Sequence, residues 1–170
     1  MRYEDYIGNL ARLAVELVNA GSADELTGTD AAMLVEHAIT WPTDEELAPL
    51  LALLRPAVAA VADGADPAPV NRLLRRYPPR LHVSEHDGAA HLHHAENGEP
   101  PIPWLGRSCA AGLAHVACGA PEVTIGRCRA AGCPRFFVDQ SRNRSRRFCG
   151  NTCASRTTVA AYRERRKGST

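Results

Sequence analysis

The chain has 170 residues, of which 45% are hydrophobic and 23% are charged, and this balance is typical of a folded globular protein and excludes a largely disordered or collagen-like chain. Its longest apolar stretch, residues 47–54, is much shorter than the roughly 20 residues that a membrane span requires. The first residues lack the basic end and apolar run of a secretory signal, so we expect a cytoplasmic protein that does not contact membranes.

The net charge of +1 conceals an uneven distribution of charge along the chain. Residues 1–126 contain 8 Lys and Arg against 17 Asp and Glu, a net charge of −9, whereas residues 127–170 contain 12 against 2, a net charge of +10. This division predicts two parts with different electrostatic roles. The basic part should attract a polyanion, for which nucleic acid is the first candidate.

Helical periodicity and capping signals predict five helices in the acidic part of the chain. Thr43 and Glu46 have the spacing of a capping box and open the third of these helices, within which Pro49 and Pro56 are expected to produce a kink or a break. The predicted helices cover residues 6–20, 29–39, 43–62, 70–77 and 104–118.

Between the fourth and fifth helices, two short alternating runs flank Asp87-Gly88, which indicates a β-hairpin. A two-residue turn pairs Val83 with Leu92 on the inner side, and His82 with His93 on the opposite side. We interpret the local histidines as a polar outer face; the alternative is a His82–His93 pair that binds a metal or responds to pH. The five histidines of this region are His82, His86, His91, His93 and His94.

Four of the six cysteines lie in the basic part as two close pairs. Cys128 and Cys133 form the first pair, and Cys149 and Cys153 form the second after fifteen intervening residues. Four thiolates in such a pattern predict a structural zinc site with no open coordination position. The other two cysteines fall on a predicted helix of the acidic part, where they are expected to be buried small apolar residues; they are Cys109 and Cys118.

The local pattern around these cysteines predicts a treble-clef-like order of a knuckle, a hairpin and a helix. The hairpin is expected to pair residues 136–138 with residues 146–148, and the helix to cover residues 152–167, with Val159 and Tyr162 packed on the hairpin. Asp139 is interpreted as a structural partner for a nearby arginine or for the turn backbone. A basic segment this small usually needs a metal or a disulfide in order to fold.

Residues 128–167 resemble the CGNR zinc finger family. The resemblance is carried by the first cysteine pair, by Phe137, Asp139, Ser141 and Arg142, by the run from Arg146 to Cys149, and by Cys153-Ala154-Ser155-Arg156, which keeps the Cys and Arg of the family's name-giving motif. The preceding part is similar, through weaker signals, to the helical domain called ABATE. The resemblance implies a transcription regulator.

The basic part also predicts a nucleic-acid interface, because Arg forms bidentate contacts to phosphate and to guanine edges. The candidate contacts are Arg142, Arg144, Arg146, Arg147, Arg156, Arg163, Arg166 and Lys167. Two alternatives remain open at this point: a zinc-stabilised module that binds only proteins, and a redox switch in which oxidation of the thiolates releases zinc. The sequence contains no phosphate-binding glycine loop, metalloprotease helix or nucleophile elbow, so we expect no enzymatic activity.

Together these patterns predict a mainly helical α+β protein. Residues 1–120 should form a helical regulatory domain with a small β-hairpin, residues 121–126 a linker, and residues 127–170 a treble-clef-like zinc finger that binds DNA. The first domain is expected to sense a small molecule or a protein, or to form a homodimer. The opposite charges suggest that the acidic domain covers the finger in an inactive state.

Overall fold

A computed structural model describes residues 3–22, 34–35, 37–84, 90–120 and 122–167. In chain order these contain α1 (Tyr3–Ala20), α2 (Asp44–Asp63), α3 (Ala68–Arg76), β1 (His82–Ser84), β2 (His91–His93), α4 (Pro101–Ala117), β3 (Thr124–Arg127), β4 (Phe136–Asp139) and α5 (Asn151–Lys167). Two two-stranded antiparallel sheets, β1–β2 and β3–β4, accompany the helices, so the predicted mainly helical α+β class is confirmed. No helix of the described ranges is long and apolar enough to cross a membrane.

The helices pack around one hydrophobic core because each presents an apolar stripe at helical spacing. Leu10, Leu13 and Leu17 of α1 are fully buried, as are Leu50 and Leu54 of α2. The capping box of Thr43 and Glu46 is present, and α2 ends at Gly64, which has the left-handed conformation that glycine favours. The predicted second helix, residues 29–39, lies largely outside the described residues.

Prolines do not break the helices of the described residues. Pro49 and Pro56 both lie inside α2, which is assigned as one continuous helix rather than two. Helix α4 begins at Pro101, three residues before the predicted start, because proline is well tolerated in the first turn, where its missing N–H has no intrahelical acceptor.

Helices α1 and α4 approach each other closely at Gly112, which is buried. A Cβ atom at this position would lie 2.6 Å from the backbone nitrogen of Ala11 and 2.8 Å from the carbonyl carbon of Leu10. We expect Gly112→Ala to lower the free energy of unfolding by about 1–3 kcal/mol, because the helix backbones must separate. Urea unfolding measures this change, and Gly150→Ala, where a Cβ meets no atom within 4 Å, is the control. Equal stabilities for the two variants would contradict the close approach.

The β1–β2 hairpin has the predicted register but the opposite orientation. Val83 pairs with Leu92, and His82 pairs with His93. However, Val83 is 68% exposed and His93 only 1% exposed, so the prediction of an inner apolar side and an outer histidine side was wrong. The physical reason is that the histidine rings contact Tyr6 of α1, which offers them an aromatic surface inside the protein.

Burial also changes the chemistry of His94, which directly follows β2. Burial, together with the neighbouring His115 and His82, lowers the pKa of His94 to about 4. Since an unfolded histidine has a pKa near about 6.5, protonation favours the unfolded chain. We expect stability to be fully present above that pH and to fall as the pH decreases toward 4. Urea unfolding at pH 7.5 and pH 5.5 measures this loss. The free energy of unfolding of His94→Gln should fall less between these two pH values than that of the wild type, and equal losses would contradict the prediction.

The strand pairing near the cysteines also differs from the prediction. Strand β4 pairs with β3, Ile125 opposite Val138, rather than with residues 146–148, which form no strand. Gly126 faces Phe137 across the sheet, and a Cβ there would lie 2.7 Å from the Phe137 ring, so the glycine makes room for the aromatic side chain. Residues 124–126, which were expected to belong to a linker, are therefore part of this sheet.

The β3–β4 sheet is attached to the helical core rather than separated from it. Ile125, Phe136 and Val138 belong to the same buried apolar cluster as the helices. Asn19 of α1 holds Phe136 through two hydrogen bonds: its side-chain amide donates to the Phe136 carbonyl at 3.0 Å, and its side-chain oxygen accepts from the Phe136 N–H at 2.9 Å. These contacts fix the position of the cysteine-rich segment relative to α1.

Candidate metal centre and the surrounding basic surface

The first cysteine pair lies on a tight knuckle after β3. The N–H of Cys128 donates to the carbonyl of Arg135, and the N–H of Cys133 donates to the carbonyl of Ala130. Gly132 has a φ of +70°, a conformation that glycine adopts without strain. The turn therefore brings both thiols to the same side of the knuckle.

The second cysteine pair lies at the beginning of α5. Cys149 lies two residues before the first helical residue, Asn151, and Cys153 is in the first turn of the helix. The N–H of Cys149 donates to Sγ of Cys128 at 3.4 Å, which links the two pairs. The N-terminus of a helix stabilises negative charge, so this placement favours thiolates.

The four sulfur atoms have the arrangement that a zinc ion requires. All four Sγ atoms lie within 4.8 Å of one another. The Cys133–Cys149, Cys149–Cys153 and Cys153–Cys133 Sγ distances are 3.7, 3.6 and 3.7 Å. Tetrahedral zinc with Zn–S bonds of about 2.3 Å requires sulfur separations of about 3.8 Å. The predicted ligand set thus comes together as a site that fits one zinc ion.

The pKa values of the thiols indicate why a bound cation would stabilise this cluster. Burial opposes ionisation of Cys128, but hydrogen bonds from the backbone of Cys149 and Ala130 and from neighbouring thiols outweigh it and lower its pKa to about 7. Burial and the adjacent cysteines raise the pKa of Cys149 to about 12. One thiolate therefore forms readily while the next is opposed, and a bound dication would remove this opposition.

Asp139, at the end of β4, organises the loop between the strands and the second cysteine pair. Its carboxylate is only 3% exposed and accepts hydrogen bonds from the N–H and hydroxyl of Ser141, at 2.9 and 2.6 Å, and from the N–H of Arg146 at 2.8 Å. Burial raises the pKa of Asp139, but these bonds and the nearby Arg146 charge lower it overall. Its predicted role as a partner of the turn backbone is confirmed.

Two of the arginines predicted to contact nucleic acid form hydrogen bonds within the protein. The guanidinium of Arg146 donates to the carbonyls of Val138, Phe148 and Cys149, at 3.0, 2.9 and 2.6 Å. That of Arg156 donates to the carbonyl of Ala131 at 3.1 Å. Arg146 therefore holds the loop against the metal centre, and Arg156 holds the knuckle against α5.

The other predicted contact arginines lie on the outside of the finger. Those of the loop and those of α5 are exposed, so the described residues of the acidic part do not cover them in the way that the charge distribution suggested. These arginines are Arg142, Arg144, Arg147, Arg163 and Arg166. Lys167 ends α5.

Three side chains outside the metal centre are more exposed than the sequence predicted. Val159 and Tyr162 of α5 are 47% and 55% exposed, so they do not pack on the sheet as expected, because the sheet uses its apolar face against the helical core. Cys109 is buried as predicted, but Cys118 is exposed, since α4 ends at Ala117, immediately before it.

Contacts that the sequence analysis did not identify connect the finger to the helices. Arg127 donates two hydrogen bonds to Asp63 at the end of α2, at 2.7 and 2.8 Å, and these bonds lower the pKa of Asp63. The Asn19–Phe136 contact is the second such link. Both join residues far apart in the chain, and a single sequence contains no local signal for such pairs.

Four cysteines, two on a knuckle and two at a helix start, define a structural zinc-finger centre. The model of the CGNR zinc finger family matches residues 124–166, so the predicted resemblance of this part of the chain to that family is confirmed. The match begins at β3, three residues before the predicted finger boundary. No curated protein matches the chain.

Proposed function

We propose that this protein binds DNA through its zinc finger and acts as a transcription regulator. The observation that carries the proposal is the set of exposed arginines on a zinc-organised scaffold. Arg142, Arg144 and Arg147 project from one loop, and Arg163 and Arg166 from α5. Guanidinium groups form bidentate hydrogen bonds with phosphates, which suits this surface to a nucleic-acid backbone.

The scaffold supports the proposal because it fixes the loop before a ligand binds. The Asp139 hydrogen bonds close the turn that begins at Ser141, and Arg146 ties the other end of the loop to Cys149. Less conformational freedom is then lost on binding. Zinc has a structural role here, since four protein thiolates leave no position for a substrate.

Salt dependence gives the first test of the proposal. If five arginines each neutralise one phosphate, the logarithm of the binding constant should fall with the logarithm of salt concentration with a slope of about −4.5. Fluorescence anisotropy with a labelled random-sequence duplex measures this slope for the zinc-loaded chain. Absence of binding at low salt would refute the proposal, and a preference for single-stranded RNA would redirect it.

A matched pair of double variants locates the interface. Arg142→Gln/Arg147→Gln should reduce the magnitude of the salt slope by about 1.8, because two phosphate contacts are lost. Arg72→Gln/Arg75→Gln removes the same charge from exposed positions on α3 and should leave the slope unchanged. Equal effects would mean that net charge, rather than the finger surface, drives binding.

The exposed apolar residues of α5 favour a second candidate, a contact with another protein or with a second copy of this chain. Val159 and Tyr162 are three residues apart and both are about half exposed. Val159→Ser/Tyr162→Ser should lower the mass of an assembled species in analytical ultracentrifugation while leaving DNA affinity intact. A monomer with the same mass before and after substitution would remove the self-association form of this candidate.

Regulation by the ABATE-like N-terminal domain is the remaining part of the proposal. A cavity of about 460 Å³ lies between α1 and the arginine-bearing loop, bordered by Arg12 and Glu16 on one side and Ser141 and Ser145 on the other. An effector bound there would contact the loop directly. Such a compound should shift the DNA affinity of the wild type but not of Ser145→Trp, whose side chain would fill the cavity.

A further inference from the structure

The inward face of the β1–β2 hairpin contains a cluster of histidines that the zinc finger does not use. His93 lies at its centre and is almost completely buried. Four rings surround His93, with centroid separations between 4.7 and 5.3 Å: Tyr6, His37, His82 and His91. Trp104 of α4 lies behind His37, at a centroid separation of 5.1 Å. Several imidazoles are thus concentrated inside the helical part of the protein.

Two of these imidazoles already have the separation of metal ligands. His91 and His93 are two residues apart on β2, so their side chains point to the same face of the strand. Their Nε2 atoms are 2.8 Å apart. In the metal-free chain this distance is that of a hydrogen bond. Two imidazole nitrogens that each bind one ion at about 2.0–2.1 Å lie about 2.9 Å apart at a coordination angle of about 90° and about 3.3 Å apart at the tetrahedral angle, so only a small separation of the rings would admit an ion.

The neighbouring strand supplies a third imidazole on the same face. His82 of β1 is the cross-strand partner of His93, and such partners share one face of an antiparallel pair. Its Nδ1 atom is buried and has no hydrogen-bond partner in the part of the chain that the structure describes. In those same residues only the four cysteines already place three or more ligand atoms within 4.8 Å, so the His82 ring must rotate to join the pair.

A fourth imidazole is oriented by a hydrogen bond of the kind that supports metal ligands. Nδ1 of His37 lies 2.9 Å from Oδ1 of Asn97, and this hydrogen bond holds the ring in place. Ligating histidines usually donate their second ring nitrogen to an oxygen in this way. The ring lies next to His93, at a centroid separation of 5.1 Å.

We propose that the hairpin forms a second metal site, in which His82, His91 and His93 bind one divalent transition-metal ion and His37 completes the coordination. Imidazole ligands suit zinc, copper and nickel, and they differ chemically from the thiolates of the finger. The ion would connect β1 and β2 to each other beside α1, and so would stabilise the helical part independently of the finger.

Cobalt(II) titration of the full-length chain separates the two sites. Cobalt bound by four thiolates has a strong sulfur-to-metal charge-transfer absorption in the near ultraviolet, whereas cobalt bound by imidazoles lacks it. We expect the metal-free chain to bind two equivalents at pH 7.5, only one of which contributes this absorption. A single equivalent with thiolate absorption would overturn the proposal and leave the finger, and the proposed DNA binding, unaffected.

Variants identify the ligands of the second ion. His91→Gln/His93→Gln should bind one equivalent, with the thiolate absorption intact, while the control His115→Gln on α4 should bind two. Because the double variant removes two buried side chains, circular dichroism must show that it remains folded, and His82→Gln provides a milder variant that should weaken the second site at least tenfold. Retention of the second ion at unchanged affinity in both variants would overturn the ligand assignment.

Discussion

Replacing Cys133 by serine is expected to abolish high-affinity zinc binding, to remove the defined structure of the knuckle and of the start of α5, and to eliminate DNA binding. The reason is energetic, since structural zinc sites contribute about 10–16 kcal/mol of apparent binding free energy, and this energy is available only to the folded segment. Apart from the metal, the segment after β4 has few sources of folding stability, since the exposed Val159 and Tyr162 show that α5 buries little apolar surface.

Cys118→Ser is the matched control, because Cys118 is exposed and lies outside the metal centre. Both variants would be compared by elemental analysis and by circular dichroism. We expect Cys118→Ser to retain one tightly bound zinc ion and wild-type ellipticity. A Cys133→Ser protein with the same zinc content and the same α5 helicity as the control would contradict the assignment of the centre.

Chelation should reproduce the effect of Cys133→Ser without changing the sequence. Strands β3 and β4 are expected to remain attached after zinc removal, because Ile125, Phe136 and Val138 belong to the core of the helical part. The loss should therefore be confined to the knuckle, the loop and α5. Amide hydrogen exchange would detect this as faster exchange in the knuckle between β3 and β4 and in the residues beyond β4, with unchanged protection in α1 and α4.

Asp139→Ala has the second-largest expected effect, a loss of about 3 kcal/mol of unfolding free energy. The substitution leaves the N–H groups of Ser141 and Arg146 without their acceptor, and it removes a buried carboxylate close to the Arg146 guanidinium. The loop that presents Arg142, Arg144 and Arg147 should then become mobile, so DNA affinity should fall although no arginine is changed.

Asp66→Ala controls for the removal of an aspartate that accepts a backbone hydrogen bond. Asp66 accepts from the N–H of Ala68 at 2.9 Å at an exposed helix start, where loss of a cap costs about 1 kcal/mol. Urea unfolding of both variants with zinc bound, together with anisotropy titrations, makes the comparison. A similar small loss for both, with DNA affinity unchanged, would show that Asp139 does not organise the loop.

The metal ligands were predictable because the requirement is local and chemical. Two close pairs of cysteines in a small basic segment are typical of a structural zinc site, and the structure brings the same four together. The hairpin register was predictable for a similar reason, since the two-residue turn predicted from the Asp-Gly sequence determines which residues of β1 and β2 pair, and the observed pairs are those expected. Apolar periodicity located α1 and α2 in the same way.

The parts that could not be predicted depend on contacts between distant segments. Which face of the hairpin is buried depends on Tyr6 and His37, whose rings lie next to that of His93, and no rule within residues 82–93 identifies them. Strand β4 pairs with β3 because Gly126 accommodates the Phe137 ring and because Ile125 adds to the core, whereas the alternative segment 146–148 is held by Asp139 and by its own arginine.

The role of each arginine was unpredictable for the same reason. In the sequence, Arg146 and Arg156 do not differ from the other cations of the basic segment. In the folded chain, their guanidinium groups donate hydrogen bonds to backbone carbonyls. Arg127 was not singled out, although it connects the finger to Asp63 of α2. A basic segment therefore predicts a charged surface, but it does not show which cations are available to a ligand.

X-ray absorption at the zinc edge of the purified full-length chain tests the central claim most directly, because it reports the ligand atoms around the ion without any variant. The account predicts four sulfur atoms at about 2.3 Å around the zinc ion of the finger, and a separate nitrogen shell at about 2.0 Å from zinc bound by the hairpin histidines. Zinc coordinated only by nitrogen and oxygen, or a folded finger without bound metal, would contradict it.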